Sequence, residues 1–505
     1  MTRNSYVCLN ERCCAGVDGL PAMKRPAAAP RTEKDRLGLF RKLADKLMPM
    51  LSRRGFDYYE IHLVQSSGSS LLLQDGRLER SSFSTGEGVC IRVYVGGSWA
   101  MASTDSLRAE EARRLVGEVE RLASSASGKT EIDFSLLPPG VEAVTQDKVE
   151  ISPAEISPAE KVALLRRLAS EAMSAGNEHI VNHSFSYSDG AGASALATSR
   201  GGFIFMERSR IMLGCSVVAR EGETAQHWSE RYGGIGGYER IRDVNNEKFG
   251  IQAVKEALAL IHTPPAPAGK MPVIFDPSVT GLFIHECLGH NAEADLVLEG
   301  QSLLDGKVGQ QVASPLVTVI DDPTREDGYG YYLFDAEGFP AQPTTIIKDG
   351  VLIGYLHDIE TALRMKEAPN GHARQGSYAA QPLPRMSNTL VAPGKSRLED
   401  LISGVHRGVL LCRGESGYVL SEKGEYECRA ETGYVIESGK LAERVRETSF
   451  NGRVLDTLKR VEGLTDELIV NDPGMCGKEG QEVAVDSGGP HVLVNEVLVG
   501  GLGHE

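Results

Sequence analysis

Nothing in the 505 residues approaches the run of about 18 apolar residues that a membrane helix needs, and residues 1 to 30 hold no secretory apolar core. Neither a membrane span nor a signal peptide is expected, and the cytoplasm is the default location. Positive charge is in short supply as well. Against 69 Asp and Glu stand 54 Lys and Arg, a formal charge of −15, so nucleic-acid binding has no electrostatic support. Nine cysteines, an odd number, sit at positions 8, 13, 14, 90, 215, 287, 412, 428 and 476 without the spacing of a disulfide framework, and reduced thiols are expected. Cys8, Cys13 and Cys14 cluster, but with no histidine nearby they make a poor zinc site.

What is present is an ordinary globular composition, 41% hydrophobic and 24% charged, at a length that suits two or three domains. Residues 1 to 33 read as a tail, expected to be disordered. From residue 34, Leu37, Phe40, Leu43 and Leu47 follow helical spacing up to a stop at Gly55. Strand-like runs follow at 57 to 65, 69 to 74, 88 to 96 and 98 to 103, with Asp75-Gly76 as a hairpin turn. A second helix is expected over 105 to 123. The direct repeat ISPAEISPAE at 151 to 160 reads as a helix start, because each Ser-Pro matches an N-cap followed by the first helical residue. That helix should run to about 175, followed by antiparallel strand over 179 to 225 and a helix over 242 to 261. Together these form a first domain spanning 34 to 261. The proline-rich stretch 262 to 270 reads as a linker. Residues 271 to 505 then form a strand-rich C-terminal domain, with Lys348-Asp349-Gly350 as a tight hairpin. The fold class is α+β: an N-terminal α/β meander domain, then a strand-rich domain carrying one chemically loaded helix.

That helix lies in FDPSVTGLFIHECLGHNAEADLVLEG, residues 275 to 300. Asp276-Pro277 supplies an N-cap carboxylate and a proline at the first helical position, so a helix should start near Pro277. Along it His285, Glu286 and His290 give H-E-x-x-x-H, one residue longer than the H-E-x-x-H of ordinary zinc hydrolases. A step of five separates the imidazoles by roughly 140°, too far to share a tetrahedral ion. An inserted residue, a π-bulge, would bring them back together, and Gly289 has no side chain to obstruct it. Two unrelated polar residues on a partly buried helix are the alternative. Against it, Leu282-Phe283-Ile284 brings the histidines in from an apolar face, where unpaired imidazoles are costly.

A catalytic zinc usually takes three protein ligands, so a third is needed. Glu293, Asp295 and Glu299 are nearby carboxylates. Cys476 in DPGMCGKEGQ is the rival, where Gly474 and Gly477 allow a tight loop and Lys478 favours a thiolate. Here the chain resembles the TldD/PmbA family of metalloproteases, in its active TldD-like branch, from about residue 34 to the end. The resemblance is carried by GLFIHECLGH, GQQVASPLVTVIDDPT, FDAEGFPAQPTTIIKDGVLIGYLHD, SYAAQPLPRMSNTLVAPGKS, GMCGKEGQ and LVNEVLVGG, and by LQDGRLERSSFSTGEGVCIRVYVGGSWAMAST near the start. It implies that Zn²⁺ is held by His285, His290 and Cys476. Where the family has a Gly-Leu-Glu-Gly-Asp-like run, this chain has Asn291-Ala292-Glu293-Ala294-Asp295, so the helix is expected to continue further.

The chemistry implied is peptide hydrolysis, with zinc polarising a water and Glu286 as general base. The resemblance further implies a short or unfolded peptide substrate, such as a peptide precursor or an antitoxin, bound extended in the cavity of a dimer. That dimer is of two copies or of one copy and a family paralogue. In Pro384-Arg385-Met386-Ser387-Asn388, Arg385 and Asn388 are candidate substrate contacts, against a turn closing two strands. The competing functions are a structural zinc protein acting through a partner and a non-catalytic scaffold for an active paralogue. Cys287, about 100° away from the face of Glu286, is a poor fourth ligand.

Overall fold

The computed structural model of the chain describes residues 32–500, apart from 126, 127 and 129. The tail up to residue 31, with Cys8, Cys13 and Cys14, lies outside the described residues. Thr32 caps the first helix, Glu33–Ser52, through a reciprocal capping box with Asp35, and the helix buries Phe40, Leu43, Leu47 and Leu51 as its apolar stripe. Burial of each of these larger side chains contributes about 1.5–3 kcal/mol.

The runs read as separate strands at 57 to 65 and 69 to 74 are one strand, Tyr58–Gln74. It pairs along its length with Arg77–Val95 on one side and with Ile180–Thr198 on the other. Ser66, Ser67 and Gly68 carry no apolar signal, yet pairing from both neighbours holds them extended, a tertiary override of weak strand propensity. The turn between the first two strands is the expected one, with Asp75 at φ 47° and Gly76 at φ 78°. Ser98–Thr104 extends the sheet beyond Arg77–Val95. On the other side Phe203–Glu221 follows Ile180–Thr198, and both Glu142–Gln146 and Thr224–Ile235 pair with it to complete seven strands. Helices Glu33–Ser52 and Ala109–Ser125 cover one part of one face around Val116, Val119 and Phe205. Pro158–Met173 and Gly250–Leu260 cover another part around Leu168, Phe185 and Leu213. Only the second Ser-Pro of the repeat starts an α-helix, where Ser157 and Glu160 form a capping box; the first opens the 3₁₀ turn Pro153–Glu155. The helix expected from 242 starts at Gly250, because Glu239–Arg242 is a separate short turn.

In the C-terminal half, strands Arg407–Leu420, Glu425–Glu437 and Lys440–Arg453 form a meander. Gly269–Phe275 adds to it in parallel and Val492–Gly500 follows antiparallel. Val492–Gly500 also pairs with Lys440–Arg453, which closes this sheet on itself. A second seven-stranded sheet contains Val319–Asp321, Thr344–Lys348, Asn388–Val391 and Gln481–Gly489, with Gly474–Lys478 as a hairpin arm on the last. The helix Pro277–Phe283 packs against both sheets. Its Phe283 ring lies 5.7 Å from Phe275 and 5.0 Å from Tyr426 in the closed sheet. On the other side Thr280 donates to the Pro490 carbonyl at 3.1 Å. The fold class is α+β.

A buried ion pair, Arg92 with Glu337, and a cation–π contact, Arg413 with Trp228, join the two halves. Arg92 Nη1 reaches Glu60 at 2.9 Å and Glu337 at 2.7 Å, and Arg413 lies over the Trp228 ring at 4.2 Å while its Nε donates to Glu431 at 2.6 Å. No helix among the described residues is long and apolar enough to cross a membrane.

Candidate metal centre

Asp276 Oδ1 accepts the Val279 N–H at 2.8 Å and Pro277 takes the first helical position, so the helix begins where the local sequence dictates. Regular α-helix lasts only to Phe283. Ile284–Gly289 is a π-helix, closed by the His290 N–H donating to the His285 carbonyl, five residues back. This extra residue in the turn rotates His290 back toward His285, and the two rings stand 5.3 Å apart at 81°. Gly289 is needed at the turn for a packing reason: a Cβ there would overlap Met386 Sδ.

Cys476 lies in the strand Gly474–Lys478 and not in a loop, as its glycine neighbours had suggested. The turn of that hairpin is at Glu479 and Gly480, with φ 51° and 72°. Its Sγ is 3.4 Å from His290 Nε2. One donor atom from each of His285, His290 and Cys476 falls within 4.8 Å of the others. Burial alone would raise the Cys476 thiol, but hydrogen bonds from His285 and His290 and their charge bring it down to about 5. Burial disfavours charge on both histidines too. Cys476 nevertheless raises His285, and Glu293 together with Cys476 raises His290 well above its ordinary value. Nδ1 of His285 is buried with no hydrogen-bond partner among the described residues. Two imidazoles and an ionised thiol converging in this way suit a metal that takes nitrogen and sulfur donors.

Around the donors the carboxylates divide by position. Glu286 is partly exposed and its Oε2 is 4.0 Å from His290 Nε2. The hairpin strand Arg407–Leu420 lies over it closely, since a Cβ on Gly417 would come within 2.9 Å of Glu286 Cγ. Glu293 does not continue the helix: its backbone is extended at ψ 116°, which corrects the expectation drawn from Asn291 to Asp295. That break aims its buried carboxylate at His290 Nδ1, 3.2 Å away, and at Lys478 Nζ, 3.0 Å away. Burial raises the Glu293 carboxyl, but His290, Lys478 and Arg385 outweigh it and hold it at about 2. Lys478 also donates to Asp295 at 2.7 Å, so it serves the carboxylates and makes no bond to the thiol. Glu299 is exposed and outside the cluster. Cys287 is turned into the core, its sulfur 4.0 Å from that of Cys428.

Arg385 and Asn388, read from sequence as substrate contacts, are buried. Arg385 Nη2 donates to the Cys476 carbonyl at 2.6 Å. Asn388 accepts the Gly330 N–H at 2.8 Å and donates to the Asp322 carbonyl at 2.7 Å. Arg385 is thus tied to the strand of Cys476 and Asn388 to the segment from Asp322 to Gly330. Glu293, read from sequence only as a ligand, stands three residues after His290, a local spacing that could have placed it behind the ring, whereas its other partners Lys478 and Arg385 come from distant parts of the chain.

Residues 268–501 match the family model described as the PmbA/TldA metallopeptidase C-terminal domain, 151–261 match the central domain and 59–123 match domain 1. The chain belongs to the PmbA/TldD metallopeptidase family. A metalloprotease of Methanothermobacter thermautotrophicus is 38% identical over 88% of this chain and 96% of its own length. A protein of Saccharolobus solfataricus named zinc metalloprotease TldD homolog is 28% identical over 82% of this chain and 90% of its own. The crystal structure of TldE from Thermococcus kodakarensis superposes with a TM-score of 0.71 at 18% identity, covering 91% of this chain and all of that one, a likeness of fold alone. By family and by these relatives, the chain is a metalloprotease of the TldD/PmbA type.

Proposed function

We propose that this chain is a zinc-dependent peptidase acting on short or unfolded peptides, with the ion held by His285, His290 and Cys476. The observation that carries the proposal is the π-turn, which brings both imidazoles and the thiol within 4.8 Å of one another. Zinc bound there supplies Lewis acidity to the peptide carbonyl and to the attacking water. Glu286, beside the donors but left partly open to solvent, takes the proton from that water and delivers it to the leaving amine. Glu293 holds His290 through Nδ1, leaving Nε2 free to bind the ion. Arg385 fixes the backbone of Cys476 so that the thiolate stays in place.

The decisive experiment pairs elemental analysis of the purified protein with digestion of casein and of short unstructured peptides. About one zinc per chain, with cleavage abolished by chelation and restored by zinc, is expected. A zinc-replete protein that cleaves nothing would instead favour a zinc-binding scaffold.

A further inference from the structure

In the strand Phe203–Glu221, Ile211, Leu213, Cys215 and Val217 point into the helix-covered core. Alternation along a strand puts Arg208 and Arg210 together on the opposite face. There both guanidiniums donate through Nη2 to one carbonyl, that of Tyr331, with Arg210 at 3.3 Å. Arg210 Nε adds the Tyr329 carbonyl at 3.4 Å, and its guanidinium lies 5.5 Å from the centre of the Tyr329 ring. On the next strand Arg231 pairs with Gly214 and so shares this face; its Nη1 donates to the Pro473 carbonyl at 3.1 Å. From the C-terminal half Arg374 lies over the Tyr332 ring at 5.1 Å and donates to the carbonyls of Met386 and Ala484 at 2.5 and 2.7 Å.

Every hydrogen bond these four guanidiniums make goes to a backbone carbonyl, and among the described residues none of them has a carboxylate at ion-pairing distance. Elsewhere in the molecule Arg92, Arg385 and Arg413 each face a glutamate. The carboxylate that acts on both Arg208 and Arg210 is Asp147, and its Oδ2 is already engaged by the Ser209 N–H at 2.9 Å. Burial and then the charges of Arg208 and Arg374 bring Arg210 down to about 9; burial, with Arg208 and Arg385 adding to it, brings Arg374 down to about 10. Asp472 acts on Arg231 and Asp321 on Arg374 from beyond ion-pairing distance, so an anion held close by would relieve the repulsion that remains among these like charges.

Arg208 and Arg210 are partly exposed and Arg231 is exposed, whereas Arg374 is buried, and hydrogen bonds join this wall to the strand of the metal centre. In one adjacent strand Gly190 and Gly192 stand opposite Arg210 and Arg208 and offer no side chain, while in the other Ile235 stands opposite Arg210. Asp486 accepts the Tyr329 N–H through one oxygen at 3.0 Å and the Asp472 N–H through the other at 2.7 Å. Asp472 leads directly into the strand that carries Cys476.

We infer that this wall is a carboxylate subsite: Arg208 and Arg210, backed by Arg231 and Arg374, bind a carboxylate of the peptide whose scissile bond lies at the metal centre. The inference rests on the peptidase reading of that centre. Two guanidiniums side by side suit one carboxylate through paired, charge-assisted hydrogen bonds. The carboxylate comes either from the peptide C-terminus or from an acidic side chain.

The test is binding of three fluorescein-labelled peptides to the Glu286→Gln protein: a short neutral peptide with a free C-terminus, its C-terminal amide, and the amide with one internal glutamate. The free acid is expected to bind roughly tenfold more tightly than the plain amide, the fold-change that one charge-assisted contact brings. The internal glutamate matching the free acid would instead identify the side chain as the source. The preference should vanish in Arg208→Gln/Arg210→Gln and persist in Arg208→Lys/Arg210→Lys. Equal binding of all three peptides to the Glu286→Gln protein overturns the subsite, and this comparison needs no arginine variant to fold. Cleavage by the wild type separates the two readings. A charge preference in binding with no cleavage of any peptide sinks the peptidase alone, whereas cleavage with no preference sinks the subsite alone.

Discussion

Glu293 Oε2 lies 3.2 Å from His290 Nδ1, on the side of the imidazole away from the Nε2 that faces Cys476 at 3.4 Å. The ring is therefore held between an anion behind and a thiolate in front. Glu293→Gln is expected to leave the fold intact while lowering metal affinity by roughly 10- to 100-fold, the usual cost of losing a partner behind a ligand. Competition with a chelator of known affinity measures it. Unchanged affinity would mean that Glu293 serves only Lys478 and Arg385.

Glu286 stands close to the donors without belonging to the cluster. Glu286→Gln should keep both metal and thermal stability and lose about 10²- to 10⁴-fold in turnover, the range of a missing general base. Bound zinc and peptide cleavage measured on the same preparation check this. Loss of zinc in the variant would make Glu286 a ligand and overturn its role as base.

The third donor is tested by contrast. Cys476→Ala is expected to lose the ion to a mild chelator and Glu299→Ala to retain it, because Glu299 is exposed and outside the donor cluster. The opposite result would remove the thiol from the site.

Protonation of the centre has a definite sign. The Cys476 thiol, brought down to about 5, is a thiolate in the metal-free protein at neutral pH, while both histidines are raised and hold protons more tightly than free imidazoles do. Metal must displace those imidazole protons, so retention should weaken as pH falls, and more steeply below about 5 where the thiol also takes a proton. Ultraviolet thiolate absorbance of the metal-free protein should disappear as pH is lowered through about 5 and be absent from Cys476→Ser. Cys90 and Cys215, raised by burial to about 12, add nothing in that window.

Gly289 and Met386 make a packing pair. Gly289→Ala forces its new methyl into Met386 Sδ, and a loss of about 1–3 kcal/mol in stability is expected from the overpacking, together with weaker metal binding as the π-turn shifts. Met386→Ala in the same chain should recover part of both losses, since the two sites are in contact and their effects do not add. Urea unfolding of the four members of this cycle reads the coupling. No coupling would place the conflict elsewhere.

Several elements were legible because their causes are local. Asp276-Pro277 starts a helix, Asp75-Gly76 and Asp349-Gly350 turn hairpins, and Ser157-Pro158 caps a helix through atoms a few residues away. Spacing alone showed that His285 and His290 needed an extra residue in the turn to meet, and the π-turn follows that geometry. Other features were decided by residues far apart in the chain. Cys476 and His290 are 186 positions apart, so no local pattern could choose the thiol over Glu293, Asp295 and Glu299. Tyr58–Gln74 is a single strand because two neighbours pair with it, and Glu293 leaves the helix to reach Lys478. Arg385 and Asn388 point inward, where backbone carbonyls and amides need partners once water is excluded. The sequence alone determined where the locally capped elements start, as at Asp276-Pro277 and Ser157-Pro158, and which chemical groups the site helix carries. The tertiary structure decided which group faces which, because burial sets the strength of a charge and only the folded chain sets its partner.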